Sequence, residues 1–362
     1  MKVYIKNRKR KAGQFQFYMH QFVEAAIARK ITPRADVLFD VAFSLKKVLS
    51  ALSSLRSFIF KKKMPAGAAK ATSAVVPASG GNSLRKIGMR LYPWLNKTEK
   101  KKAIIVTTTG ATFFRNAFPF FYRYEIIPVL WDVWPSTWES LFSDLKLFEC
   151  KMVFVTARDM ARKISEELGI EAHWIPEGID LGDYDKGNDL SERHVEVYEL
   201  GRQKKEYHAI LEKLHAAGII THYYRNRYSE DGRLLQLAFP TAEELLDVLS
   251  DTKVLVSFPL TDTDPQKSGN LETLTQRYWE AMLSRCLIVG RAPKELIDLI
   301  GYDPVVNIDW EKPGEQMEEL LKNIHTYQGL VDRNYATALE NASWLDRVDK
   351  ISRILADRNY QL

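Results

Sequence analysis

Apolar positions along this chain follow two alternating patterns. Short β-type runs at residues 3–5, 103–107, 126–130 and 151–156 are separated by stretches whose apolar residues recur every three or four positions. Residues 14–29 show the helical spacing: Phe15, Tyr18, Phe22 and Ala25 repeat along one face, with Met19 and Ala26 on the same side. Strands alternating with helices predict a parallel sheet covered by helices. Ser136-Thr137-Trp138-Glu139 fits a capping box for the helix after Trp134-Pro135. At Ile175-Pro176-Glu177-Gly178-Ile179-Asp180 the pattern breaks, and polar residues run on through Asp189 and Ser191.

A second α/β series follows. A strand at 194–200 closes on Gly201-Arg202, and 203–217 reads as a helix. Short strands at 221–224 and 234–237 flank a loop with Arg225 and Arg227, a helix covers 242–250, and 254–258 is strongly β-type. From Gly269 to Gly290 the order is a glycine-containing loop, an amphipathic helix and a buried strand. Residues 330–359 supply a terminal helical region. The expected division is 1–178, 179–335 and a terminal helix at 336–362 returning to the first domain.

Composition supports two ordinary cores: 362 residues, 46% hydrophobic and 27% charged. The net charge of +6 hides an asymmetry. Residues 1–102 hold 23 Lys and Arg against 4 Asp and Glu, whereas the remaining 260 hold 29 against 42. A cationic front segment suits phosphates, nucleic acid or an anionic membrane surface. Residues 37–60, punctuated by Lys46, Lys47 and Arg56, read either as a core helix with its charges outward or as a helix lying on such a surface. Residues 65–83, rich in Ala, Ser, Gly and Pro, have the composition of a flexible loop or lid, and 84–95 form another basic amphipathic stretch. The basic stretches carry no motif that reads RNA or DNA, so nucleic acid is not the expected partner. Two cysteines, Cys150 and Cys286, suggest neither a disulfide framework nor a zinc site, and His173, His194, His208 and His222 lack metal-ligand spacing. The front has no signal-peptide core and no run approaches the ~20 apolar residues of a membrane span. The expected location is the cytoplasm, peripheral to the inner face of the cell membrane.

Candidate chemistry centres on Glu272 and Glu280. Read as the two ends of one helix, they stand roughly 12 Å apart along its axis. That is too far to share a metal ion and beyond the roughly 5–9.5 Å of glycoside hydrolase carboxyl pairs. Acids so placed can instead grip two parts of one extended ligand, with a helix N-terminus receiving an anion between them. Asp132 stands at a strand end, as turn chemistry or as a base. Gly13 closes the basic loop after the first strand, as a turn or as part of a ligand loop.

Four of these features together resemble the GT-B glycosyltransferases of the large retaining family 4: the 175–180 segment, with Glu177 where Asn is usual; Leu200-Gly201-Arg202; residues 254–259; and Glu272 through Glu280 with the helix and strand that follow. The resemblance implies two Rossmann-like α/β domains facing a central cleft, no cofactor, no metal, and a nucleotide-diphosphate sugar as donor. It implies that Glu272 faces the sugar hydroxyls and that Arg202 pairs with the diphosphate. Thr273 and Leu274 would offer it backbone amides, with Gly269 and Asn270 in the loop beside them, Gly201 forming the turn, and Glu280 accepting the ribose hydroxyls. The family's Lys five residues beyond the Arg is Tyr207 here, so the second cation is left among Lys204, Lys205, Arg225 and Arg227. The first domain, with Gly13 and Asp132, would hold a saccharide or lipid-linked acceptor, and the departing diphosphate would accept its proton. Two other readings stay open: an inverting transferase or sugar-nucleotide epimerase, and a non-catalytic membrane-associated assembly protein with a transferase-like fold.

Overall fold

The computed structural model describes residues 1–7, 18–34, 86, 100–118, 120–229 and 234–362. Gly13, the 37–60 stretch, the 65–83 segment and the 84–95 stretch apart from Lys86 lie outside the described residues.

Six parallel strands form the first sheet: β1 (Lys2–Lys6), β2 (Thr32–Arg34), β3 (Lys102–Thr109), β4 (Glu125–Trp131), β5 (Met152–Val155) and β6 (Glu171–Trp174), in spatial order β2-β1-β3-β4-β5-β6. Five more form the second: β7 (Val195–Glu199), β8 (Tyr223–Arg225), β11 (Thr252–Ser257), β12 (Leu287–Gly290) and β13 (Val305–Asn307), again all parallel, in order β13-β12-β11-β7-β8. Between β8 and β11 in sequence, β9 (Arg227–Tyr228) and β10 (Leu234–Gln236) make a separate antiparallel pair. Counted from its own first strand, each sheet has the same order, reversing between β1 and β3 in one and between β7 and β11 in the other. In open α/β sheets that reversal opens a crevice at the strands' C-terminal ends.

Helices cover both faces, which is why the strands are apolar nearly throughout. Along β3, Ile104 and Val106 join Phe113, Leu141 and Leu145, while Ala103 and Ile105 turn to Phe22, Trp131 and Val348. The second sheet alternates likewise. Leu255 and Ile288 meet Tyr278, Trp279 and Met282, whereas Val254, Val256 and Val289 meet Tyr207, Leu211 and Met317.

The chain crosses between the sheets twice, side by side. The Ile179 N–H donates to Ala342 O at 2.8 Å, and the Trp344 N–H to Ile179 O at 3.2 Å. Helix Gln328–Asn341 stays with the second sheet through Val331 and Ala338, while helix Trp344–Asp357 packs on helix Tyr18–Ala28 of the first.

Two helix starts differ from expectation. Pro135–Thr137 is a 3-10 turn, and the helix that follows is Trp138–Leu147 without a side-chain cap. Thr137 Oγ1 donates instead to Trp134 O at 2.8 Å, so the capping box at Ser136 does not form. The helix expected from Glu272 begins only at Gln276, behind an extended Thr275. Glu272 therefore lies in a loop, and the axial spacing of an eight-residue helical segment does not apply to it.

Candidate functional site

The strand-order reversal of the second sheet positions the basic turn. After β7 the chain turns at Gly201, whose φ of +87° lies in the left-handed region. A Cβ built there would meet Arg277 Nη2, Cζ and Nη1 at 2.6, 2.7 and 2.9 Å. Only a glycine lets the Arg277 guanidinium lie against this turn. Arg202 follows, half-buried, and its Nε has no hydrogen-bond partner among the described residues. Burial first, and then the adjacent Arg277, push the Arg202 guanidinium below its ordinary range; Asp132 pulls the other way.

Asp132 belongs to the first sheet. It stands just beyond β4 with φ +49°, and Tyr18 Oη donates to its Oδ2 at 3.4 Å. The residue opens onto solvent, yet the surrounding protein dehydrates its carboxyl enough to raise it above the usual range, opposed by Lys267 and Arg202. The carboxyl at one sheet's C-terminal end thus faces the guanidinium at the other's. The 259–271 segment also reaches across. Leu260 and Leu271 enter the first sheet's core, the Lys267 ammonium lies 5.9 Å from the Trp134 ring, and a Cβ on Gly269 would sit 3.3 Å from Pro135. Asn270 beside it is exposed.

The two glutamates differ in their surroundings. Glu272 is tied in place: Oε1 pairs with Arg291 Nη2 at 2.6 Å and Oε2 accepts the Lys294 N–H at 2.9 Å. Arg291 also grips Asp262 with two bonds of 2.6 and 2.7 Å. Glu280 is enclosed on the Gln276–Leu283 helix, where Tyr184 Oη donates to Oε1 at 3.2 Å. Burial raises its carboxyl, with Arg277 and Tyr184 opposing.

Of the two backbone amides expected to face an anion, one is committed. The Leu274 N–H donates to Glu295 Oε2 at 2.9 Å, so that amide already has a carboxylate. The Thr273 N–H has no acceptor among the described residues. The candidate second cations are likewise partly tied off. Arg225 pairs with Glu212, and Arg227 reaches Gln236 at 3.5 Å. Lys204 is 3.7 Å from Glu206 and 5.4 Å from the Trp310 ring, and Lys205 is exposed. Tyr207 is buried against Phe258 and Trp310 and contributes no charge. Lys204, Arg291, Asp262 and Trp310 line a cavity of about 460 Å³ beside the ends of β11 to β13.

Three residues not foreseen from sequence shape the site. Glu177 and Glu295, both buried, accept backbone amides of the 274–276 loop, and Arg277 fills the space over Gly201. Glu177 had a signal, standing in the crossover segment where the resembled family has Asn. Arg277 had none, because its meeting with Gly201 is a tertiary contact. Among the described residues no three His, Cys, Asp or Glu side chains are grouped to hold a metal ion, and no helix is long and apolar enough to cross a membrane.

No family model matches this chain. No curated protein matches it either. Solved structures do. HepE of Anabaena, solved with UDP-glucose, aligns over 99% of this chain and 100% of its own with a TM-score of 0.54 at 10% identity. Sucrose-phosphate synthase of Thermosynechococcus elongatus aligns over 79% of this chain and 81% of its own, with a TM-score of 0.50 at 11% identity. TarM aligns over 73% of this chain at 12% identity with a TM-score of 0.46, and the chain spans 57% of TarM's length. At these identities the likeness concerns fold alone: two α/β domains around a cleft, the GT-B architecture.

Proposed function

We propose that the protein is a glycosyltransferase that moves a sugar from a nucleotide-diphosphate donor to a saccharide or lipid-linked acceptor with retention at the anomeric carbon. One observation carries this reading: a partly buried guanidinium, Arg202, whose Nε has no hydrogen-bond partner among the described residues, set by a glycine turn at the strand-order reversal of a GT-B second domain. A guanidinium fork placed there suits a diphosphate and stabilises charge as that group departs. Catalysis would then rest on positioning and charge stabilisation rather than on a protein nucleophile.

In this reading the domain at 179–335 holds the donor and the domain at 1–178 the acceptor, with the C-terminal segment clasping the first domain. Glu280 receives the ribose hydroxyls through the carboxylate oxygen that Tyr184 leaves open. Glu272, held by Arg291 and the Lys294 amide, orients the donor loop and presents its remaining lone pairs to the sugar. The Thr273 amide faces the diphosphate. The basic front segment suits a phosphorylated or membrane-borne acceptor. HepE was solved with UDP-glucose, which makes uridine-diphosphate sugars the first donors to test. The test is incubation with a panel of labelled sugar nucleotides, scored for ligand-induced thermal stabilisation and for transfer or donor hydrolysis. A folded protein stabilised by none of them refutes the reading.

A second reading keeps the fold and inverts the stereochemistry. Asp132 favours it, since a raised carboxyl at the cleft, opposite Arg202, is placed as a base. The anomeric configuration of the product, read by NMR, separates the two.

A further inference from the structure

We propose that Arg277 is the second diphosphate-binding cation, acting as a pair with Arg202. The inference rests on the nucleotide-sugar reading above and names the partner that the Gly201–Tyr207 stretch lacks.

Three observations carry it. Geometry comes first: the Arg277 guanidinium lies against the backbone of the turn that carries Arg202, close enough that any side chain at 201 would collide with it. Partnership comes second. Arg277 makes no hydrogen bond or ion pair among the described residues, although Glu177 and Glu280 stand within electrostatic reach. The other arginines on neighbouring elements are engaged. Arg291 holds Asp262 and Glu272, Arg225 holds Glu212, and Arg158 holds Asp298. Energetics comes third. Two adjacent, partly buried guanidiniums oppose each other, the effect of Arg277 on Arg202 being that of a like charge, while Asp132, Glu177 and Glu280 act on them from a distance without forming an ion pair among the described residues. Such a pair weakens the empty protein and becomes favourable once an anion lies between its forks. A nucleoside diphosphate supplies the charge and the several oxygens that two planar forks can grip.

The helix origin of Arg277 has a consequence. Arg277 and Glu280 lie three positions apart and so share a helix face. One element would then hold the diphosphate with its first turn and the ribose with its second, a spacing that fits one nucleotide rather than two separate ligands.

The test uses the full chain and the variants R277Q, R277K and G201A. Uridine, guanosine, adenosine and thymidine diphosphates are titrated separately by calorimetry, with pyrophosphate and uridine as controls, alongside melting curves with and without ligand. The expected result is that R277Q binds the preferred diphosphate about 10- to 100-fold more weakly, with R277K between it and the wild type. Without ligand, R277Q melts at or above the wild-type temperature. If the wild type binds no nucleoside diphosphate, the glycosyltransferase reading itself fails. If the wild type binds one and R277Q binds it within twofold, only the Arg277 assignment is overturned. A ligand-free R277Q that melts several degrees lower marks Arg277 as structural and overturns it too. Pyrophosphate binding as tightly as the nucleotide overturns the nucleotide as occupant.

Discussion

Glu177 Oε2 accepts the N–H of Gln276 at 3.0 Å, so a buried carboxyl of the crossover segment terminates the helix that carries Arg277 and Glu280. Its backbone oxygen takes Trp279 Nε1 at 2.9 Å, binding the same helix a second time. Burial, reinforced by Asp132, pushes the Glu177 carboxyl from 4.5 to about 8. Burial likewise pushes Glu295 to about 7, against the amides of Leu274 and Arg158.

These shifts set a pH dependence. Each acid holds its proton more tightly folded than unfolded, so its contribution to stability is complete below 4.5 and is lost as pH rises towards 7 to 8. Melting temperature should fall across that window. Glu177→Gln keeps an oxygen for the Gln276 amide and cannot ionise, so its slope should be flatter and its advantage at pH 8.5 on the order of a few kcal/mol. Calorimetric melting of both proteins from pH 4.5 to 8.5 checks this, and parallel curves would refute it.

Gly201→Ala combines a left-handed φ with a collision against Arg277. We expect a loss of roughly 1–3 kcal/mol in urea unfolding. Diphosphate affinity should fall with it, since Arg277 must move aside. A variant of wild-type stability would mean that the guanidinium rests elsewhere in solution.

How far the sequence discloses this depends on range. Strands such as β3 and β4, buried on both faces, announce themselves as apolar runs, and the alternation with helices is enough for two parallel sheets. β2, β6 and β13 are short or only partly buried, so they leave no such run. The start of the helix at Gln276 is not legible locally because its position depends on non-local carboxylates. Glu177, ninety-nine residues before Gln276, takes an amide that a longer helix would use internally, and Glu295, twenty-one residues on from Leu274, holds the loop ahead of it. Local propensity contains neither partner. Gly201-Arg202 was legible because a glycine-basic turn after a β-run is local, whereas the guanidinium beside it arrives from a helix more than seventy residues away.

Arg202→Ala and Glu280→Ala should each sharply reduce sugar transfer in a folded protein, for different reasons. Removing Arg202 leaves the departing diphosphate without its fork and should lower the turnover rate about 10²- to 10³-fold. The unpaired Nε and the like-charged neighbour predict an unchanged or higher melting temperature without ligand. Removing Glu280 should act mainly on donor affinity, because a ribose contact is made equally in ground and transition states. Steady-state kinetics with varied donor separates the two. Full activity in both variants would sink the site assignment.

Asp132→Asn distinguishes a turn residue from a base with little structural disturbance. Asn, like Asp, is among the side chains that tolerate a positive φ, so the backbone at +49° should persist. If the departing diphosphate takes the acceptor's proton, the substitution should cost less than about tenfold in turnover, whereas loss of a true base costs about 10²- to 10⁴-fold. The charge change adds an independent readout. Asp132 opposes the depression of Arg202, so its neutralisation leaves the guanidinium pair more exposed to self-repulsion. Dehydration nevertheless outweighs both cations at the Asp132 carboxyl, so the empty variant should melt at or slightly above the wild-type temperature at neutral pH, while binding nucleoside diphosphate a few-fold more tightly, because a negative charge facing the anion has gone. A variant that binds diphosphate more weakly would place Asp132 with the ligand's donors rather than opposite them, and the cleft electrostatics drawn from Arg202 would be wrong.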